Sequence, residues 1–142
     1  MHAAAGGVGS LGVQIAVELG ARVIGAASAR NHDYVRQLGA EPVTYGTGLV
    51  DRVAQLAPGG VDAALDFVGA DAVDASLHLL GRPERLASIA DPETAAKGGH
   101  HVWVRPDPVD LSVLADLTDR GSWVCMSKGA PARRSGGSLA PE

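Results

Sequence analysis

The stretch AAAGGVGS, residues 3–10, decides how the chain is to be read. Ala4-Ala5-Gly6-Gly7-Val8-Gly9 has the spacing GxGxxG with alanine in the first position. In that pattern Gly6 lets backbone approach a pyrophosphate, and Gly9 lets the following helix pack closely on a sheet. Behind it Val8, Leu11, Ile15, Ala16 and Leu19 recur at helical spacing, Gly20 can stop the helix, and RVIGAA reads as a buried strand. The amide groups and positive dipole end of such a helix hold phosphate without a lysine. A mononucleotide loop is a poorer fit, because GGVGSLG is not followed by Lys and Ser or Thr.

Outward from this unit the same rhythm repeats. A helix is expected from Asn31 to Leu38, ended by Gly39, and the strand PVTY follows. Leu49 to Leu56 reads as helix, VDAALDFV as a buried strand, Asp71 to Leu80 as helix and ERLASIA as strand. HHVWVRP is expected to be a further strand, and a helix runs from about Val109 to Arg120. Strands alternating with helices at this spacing imply an α/β fold, a Rossmann-type doubly wound parallel sheet with helices on both faces. Residues 1–120 form that domain. Residues 121–142, rich in Gly, Ser, Ala and Pro and without an apolar period, read as a disordered or unrelated tail.

Composition narrows the partners. With 142 residues, 46% of them hydrophobic, the chain fits one core. A net charge of −4 with interspersed signs offers no stripe for nucleic acid. Apolar runs stop well short of the about 18 residues a membrane span needs, and no leader pattern opens the chain, so a cytoplasmic protein is expected. One cysteine, Cys125, permits neither an internal disulfide nor a cysteine-based zinc site. His100 and His101, adjacent on an expected strand, point to opposite faces and do not share a metal.

The end of the second expected strand selects the dinucleotide. A carboxylate there would accept hydrogen bonds from an adenosine ribose and repel a 2′-phosphate. This chain has Ala26, Ala27 and Ser28, then Arg30, so a phosphate would meet a hydroxyl and a guanidinium fork. NADP(H) is therefore expected over NAD(H). Catalytic groups are not legible: Tyr34 and Tyr45 show no activating partner, and Ser10, Ser28 and Ser88 lack a nucleophile-elbow pattern. Asp66, near the carboxyl end of its strand, either orients a loop or the cofactor or serves a structural hydrogen bond. Trp103 on its valine-rich strand reads as packing.

HAAAGGVGSLGVQIAVELGARVIGAASARN, LGAEPVTY, GVDAALDFVG and RPERLASIA together resemble the cofactor-binding half of the medium-chain dehydrogenase/reductase superfamily, on its quinone oxidoreductase branch. The resemblance covers about Met1 to Arg120. It implies reduction of quinones or other activated carbonyl compounds with NADPH, beside a catalytic domain built mostly from residues ahead of the glycine loop. It implies that Gly6, Gly7, Val8 and Gly9 meet the pyrophosphate, Ser28 and Arg30 the 2′-phosphate, and Tyr45 the adenosine end. Val68, Gly69 and Ile89 would lie along the nicotinamide. The branch often carries lysine four positions after the serine, where this chain has His32, with Arg30 as the substitute.

In that family a buried central strand feeds the glycine loop, whereas only MHAAA precedes Gly6 here. The sheet is thus expected to be incomplete at its first strand and at its C-terminus, with a gap about one strand wide beside the RVIGAA strand. The expectation that follows is a partial product of a larger reductase gene, with an internal start and a replaced end. Its partners would be a small-molecule dinucleotide, and a catalytic domain or a second copy paired through the HHVWVRP edge. Two functions stay open: an NADPH-dependent oxidoreductase, and a non-catalytic dinucleotide-binding or assembly module. A methyltransferase also places a glycine loop after its first strand, but AAGGVG and the missing acid argue against it.

Overall fold

The computed structural model describes residues 1–119 and the backbone of Val124–Cys125 and Arg133–Arg134. It divides into two compact units, Met1–Val104 and Arg105–Glu142, which are described separately.

In the first unit the glycine-led helix α1 spans Gly7–Glu18. Leu19 N bonds back to Ile15 O, and Gly20 then takes φ +83°, a left-handed turn that costs glycine little and ends the helix. Strand β1 (Ile24–Ala27), helix α2 (His32–Gln37) and strand β2 (Glu41–Thr44) follow. Helix α3 (Leu49–Leu56), strand β3 (Ala64–Asp66), helix α4 (Asp71–Leu79) and strands β4 (Leu86–Ser88) and β5 (His100–His101) complete the unit. β1 pairs in parallel with β2, Ala26 opposite Val43, and β3, β4 and β5 form a second parallel sheet in that order. The strand-helix alternation and parallel pairing are those expected of a Rossmann-type α/β fold.

Met1–Ala4 lie between the two sheets. The Met1 amino group donates to Ile24 O at 2.8 Å, Ala26 N donates to Met1 O at 2.8 Å, and Ala4 N donates to Ala26 O at 3.0 Å. On the other side His2 N donates to Leu65 O at 2.9 Å. This segment therefore occupies the central position, between β1 and β3. Its ladder breaks at Ala3, whose φ is +49°. The expected gap is closed at the carboxyl end of the sheet and persists at the amino end. There a cavity of about 510 Å³ is lined by Ile24 of β1, Ala64 and Leu65 of β3, and Val23 and Ala63 just ahead of those strands.

Apolar packing holds each sheet to its helices. Ala26, Val43, Leu49 and Val53 form one buried cluster, joining β1 and β2 to α3. Val73, Leu80 and Leu86 form another, joining α4 to β4. Val13, Val35, Val73 and Leu86 are fully buried, each contributing about 1.5–3 kcal/mol of transfer free energy.

Several strands are shorter than the sequence pattern implies. VDAALDFV pairs as strand only over Ala64–Asp66, with an isolated bridge between Val61 and Leu80. HHVWVRP is strand only at His100–His101, because β4 offers three residues before its chain turns away at Asp91-Pro92. Trp103 does not pack in a core: it is 81% exposed and sits edge-on to the His101 ring, centroids 5.9 Å apart.

In the second unit helix α5 spans Pro108–Asp119. Asp107 caps it, its carboxylate accepting from Val109 N at 2.8 Å, with proline at the first helical position where no amide is needed. The backbone of Val124–Cys125 pairs antiparallel with Arg133–Arg134. Apart from these short backbone segments, the tail assigned to 121–142 lies outside the described residues.

Candidate functional site

A cavity of about 810 Å³ opens where the carboxyl ends of β1, β2 and β3 meet the start of α1. That is where ligands enter open parallel sheets, and the volume is that of a cofactor site.

One wall is the glycine turn. Gly6 N donates to Ala3 O at 2.8 Å, so that amide is spent internally, and Gly6 lines the cavity by close backbone approach. Ser10 N is the first in α1 to bond back, to Gly6 O at 2.9 Å. The amides of Gly7, Val8 and Gly9 precede any intrahelical acceptor. Gly7 and Val8 are exposed, whereas Gly9 is buried against the Ala3 carbonyl. A Cβ on Gly9 would overlap that carbonyl, so glycine here sets the approach of α1 to the central segment.

The second wall follows β1. Ser28 and Arg30 line the cavity, as does Tyr45 after β2. Arg30 is exposed and forms no hydrogen bond or ion pair among the described residues. His32 stands elsewhere: it is not part of the lining, and its Nε2 lies 3.4 Å from Thr44 Oγ1. The loop carrying Tyr45, Gly46 and Thr47 is tied down by Arg52 of α3, which donates to Thr44 O at 2.8 and 3.1 Å and to Thr47 O at 2.9 Å. Arg52 has no motif around it, and only the folded loop reveals its carbonyl clamp.

Val68 and Gly69 line the third wall, together with Ala70 and Asp71 at the start of α4. Ile89 does not line the cavity; it is half-buried, and its amide donates to Asp66 O at 3.2 Å. The structure thus brings Gly6, Ser28, Arg30, Tyr45, Val68 and Gly69 to one cavity, with Gly7, Val8, Gly9 and Ile89 outside its lining.

His2 was not singled out by sequence and lines the same cavity. Its Nε2 is 2.8 Å from Ser76 Oγ, which itself donates to Ala72 O at 2.9 Å. The serine proton is therefore committed, and His2 Nε2–H is assigned as the donor. Burial, with the neighbouring terminal ammonium adding to it, pushes the His2 pKa down to about 4 against the opposing charge of Asp66. Burial likewise holds the Met1 amino group down to about 6.

Among the described residues no three His, Cys, Asp or Glu side chains converge as a metal requires. No helix among them is long and apolar enough to cross a membrane.

The model of the zinc-binding dehydrogenase family matches residues 7–132. The spectinabilin polyketide synthase system protein NorB of Streptomyces orinoci is 39% identical over 118 residues, covering 78% of this chain and 5% of that protein. The 2-haloacrylate reductase of a Burkholderia species is 36% identical over 126 residues, covering 86% of this chain and 34% of that protein. The quinone oxidoreductase of Escherichia coli, solved as a complex with NADPH, superposes with a TM-score of 0.58 at 31% identity. That superposition covers 81% of this chain and 33% of the other. The chain thus spans about a third or less of the length of each.

Proposed function

Because this chain belongs to the zinc-binding dehydrogenase family, we propose that it supplies the NADPH-binding part of an oxidoreductase acting on quinones or other activated carbonyl compounds. The family assignment agrees with the resemblance carried by AAGGVG, LGA and DFVG. The observation that carries the cofactor reading is the unpartnered guanidinium of Arg30 beside Ser28, across a cavity of about 810 Å³ from the glycine turn. A diphosphate fits the exposed amides of Gly7 and Val8, next in the chain to the cavity-lining Gly6, together with the helix dipole. A 2′-phosphate fits Ser28 and Arg30, with no carboxylate at the end of β1 to repel it.

The described residues do not fit zinc, since no three His, Cys, Asp or Glu side chains among them converge. Bound NADPH supplies the hydride; the protein orients the nicotinamide and fixes its distance to an acceptor. The 2-haloacrylate reductase and quinone oxidoreductase relatives support an electron-poor acceptor. Chemistry on the acceptor draws on groups other than those lining this cavity, since none of its residues pairs an acid with a base. That leaves the second reading, a dinucleotide-binding module without turnover, as the alternative.

Calorimetric titration tests the first part: NADPH should bind at least about tenfold more tightly than NADH, a difference of about 1.4 kcal/mol. Equal or tighter binding of NADH overturns the assignment of Ser28 and Arg30. Absorbance at 340 nm with a small quinone separates the two readings, because only the reductase consumes NADPH.

A further inference from the structure

The carboxylate of Asp66 is fully buried at the end of β3 and does not touch the cavity. Its Oδ1 accepts from Val68 N at 2.9 Å and Gly69 N at 3.1 Å, and its Oδ2 from Gly69 N at 2.9 Å. Oδ2 also accepts from the hydroxyl of Ser88, at the end of β4, at 2.6 Å. The Ser88 hydroxyl oxygen in turn accepts from Ala90 N and Asp91 N, each at 3.1 Å. One carboxylate and one hydroxyl therefore tie two neighbouring loops to two adjacent strands.

Those loops touch. A Cβ on Gly69 would lie 3.4 Å from both Ala90 O and the Asp91 side chain, and Gly69 holds φ +85°. The next residue, Ala70, is held at φ +49°, a conformation that a residue with a side chain keeps only when its surroundings impose it. Val68, Gly69 and Ala70 form the cavity wall apart from the one that carries Ser28 and Arg30. A buried carboxylate accepting several backbone amides is a rigid anchor, since each amide left without it would be unpaired out of water.

We propose that Asp66 and Ser88 form a positioning relay that fixes the Val68–Ala70 wall for the nicotinamide half of the cofactor, and leaves the adenosine half untouched. This rests on the NADPH reading above. A relay acting on one wall divides the ligand: what lies by Ser28, Arg30 and Tyr45 should be indifferent to it, and what lies by Val68 should not.

The test compares NADPH with 2′,5′-ADP, which carries only the adenosine end, by calorimetric titration of the full chain and its Asp66→Asn and Ser88→Ala variants. Ser88→Ala keeps the carboxylate and its amide bonds, so it serves where Asp66→Asn fails to fold. The expected result is a loss of about tenfold or more in NADPH affinity, with 2′,5′-ADP affinity within about twofold of the unaltered chain. Unchanged NADPH affinity in Ser88→Ala, or equal loss for both ligands, overturns the relay and leaves the cofactor reading standing. Failure of the unaltered chain to bind either ligand overturns the cofactor reading and the relay with it.

Discussion

Gly9 packs with its α-carbon directly against the carbonyl of Ala3, and no side chain fits between them. Gly7, two residues earlier, has nothing within 4 Å of where its Cβ would stand. The two glycines therefore separate on substitution. Gly9→Ala should destabilise the chain by about 3 kcal/mol through overpacking, whereas Gly7→Ala should leave stability within about 0.5 kcal/mol. Urea unfolding followed by circular dichroism reads both.

The cavity beside Met1 leaves backbone groups facing it. Val23 O accepts from Glu41 N, so alternate residues of β1 face β2, and the Ile24 amide faces the opposite way. By the same alternation the Leu65 amide faces away from β4, since Asp66 O accepts from Ile89 N. Neither amide finds an acceptor among the described residues. Native-state hydrogen exchange should therefore be about tenfold or more faster at Ile24 and Leu65 than at Gly25, which β2 protects. Equal protection would mean the two inner edges are closed.

Arg30 should matter to ligand and not to fold. Having no partner within the described residues, its side chain contributes no hydrogen bond or ion pair that Arg30→Ala would remove. Thermal unfolding of Arg30→Ala should match the parent within about 1 °C. Its NADPH affinity should fall about tenfold and its NADH affinity should not change, removing the preference between them. A preference that survives would place the 2′-phosphate elsewhere.

His2 gives stability a pH dependence of defined sign. Its folded pKa is about 4, below the ordinary value of 6.5. Between these limits the unfolded chain binds a proton that the folded chain refuses, so the His2 contribution to stability is complete above pH 6.5 and is lost as pH drops towards 4. The displacement corresponds to about 3 kcal/mol. Denaturant unfolding at pH 7 and pH 4.5 should show this loss, and His2→Gln should remove most of it. The Met1 amino group, with its folded pKa of about 6 against 8.0, acts in the same sense at higher pH, so the variant keeps the part between 8 and 6.

How much of this could be read from the chain depends on range. The α1 glycines, the helix stops at Gly20 and Gly39, and the bounds of α3 follow from backbone preferences acting over a few residues, and they were legible. So was the pairing of Ser28 with Arg30, because both sit on one turn after β1. The length of HHVWVRP as a strand was not legible: valine and tryptophan favour strand anywhere, but pairing ends where β4 ends. The same holds for Arg52, whose clamp needs the carbonyls of Thr44 and Thr47 brought under it by the turn.

The order of helices and strands, the glycine entry to α1 and the placing of Ser28 beside Arg30 after β1 were set by local pattern, because spacing and backbone freedom act within a single turn or strand. Where Met1–Ala4 lie, which loops Asp66 holds, and which of the candidate residues share a cavity were decided in three dimensions. Those outcomes depend on hydrogen-bonding groups from separate strands meeting, Ile24 with Met1, Leu65 with His2, and Asp66 with Ser88, and no spacing along the chain encodes such meetings.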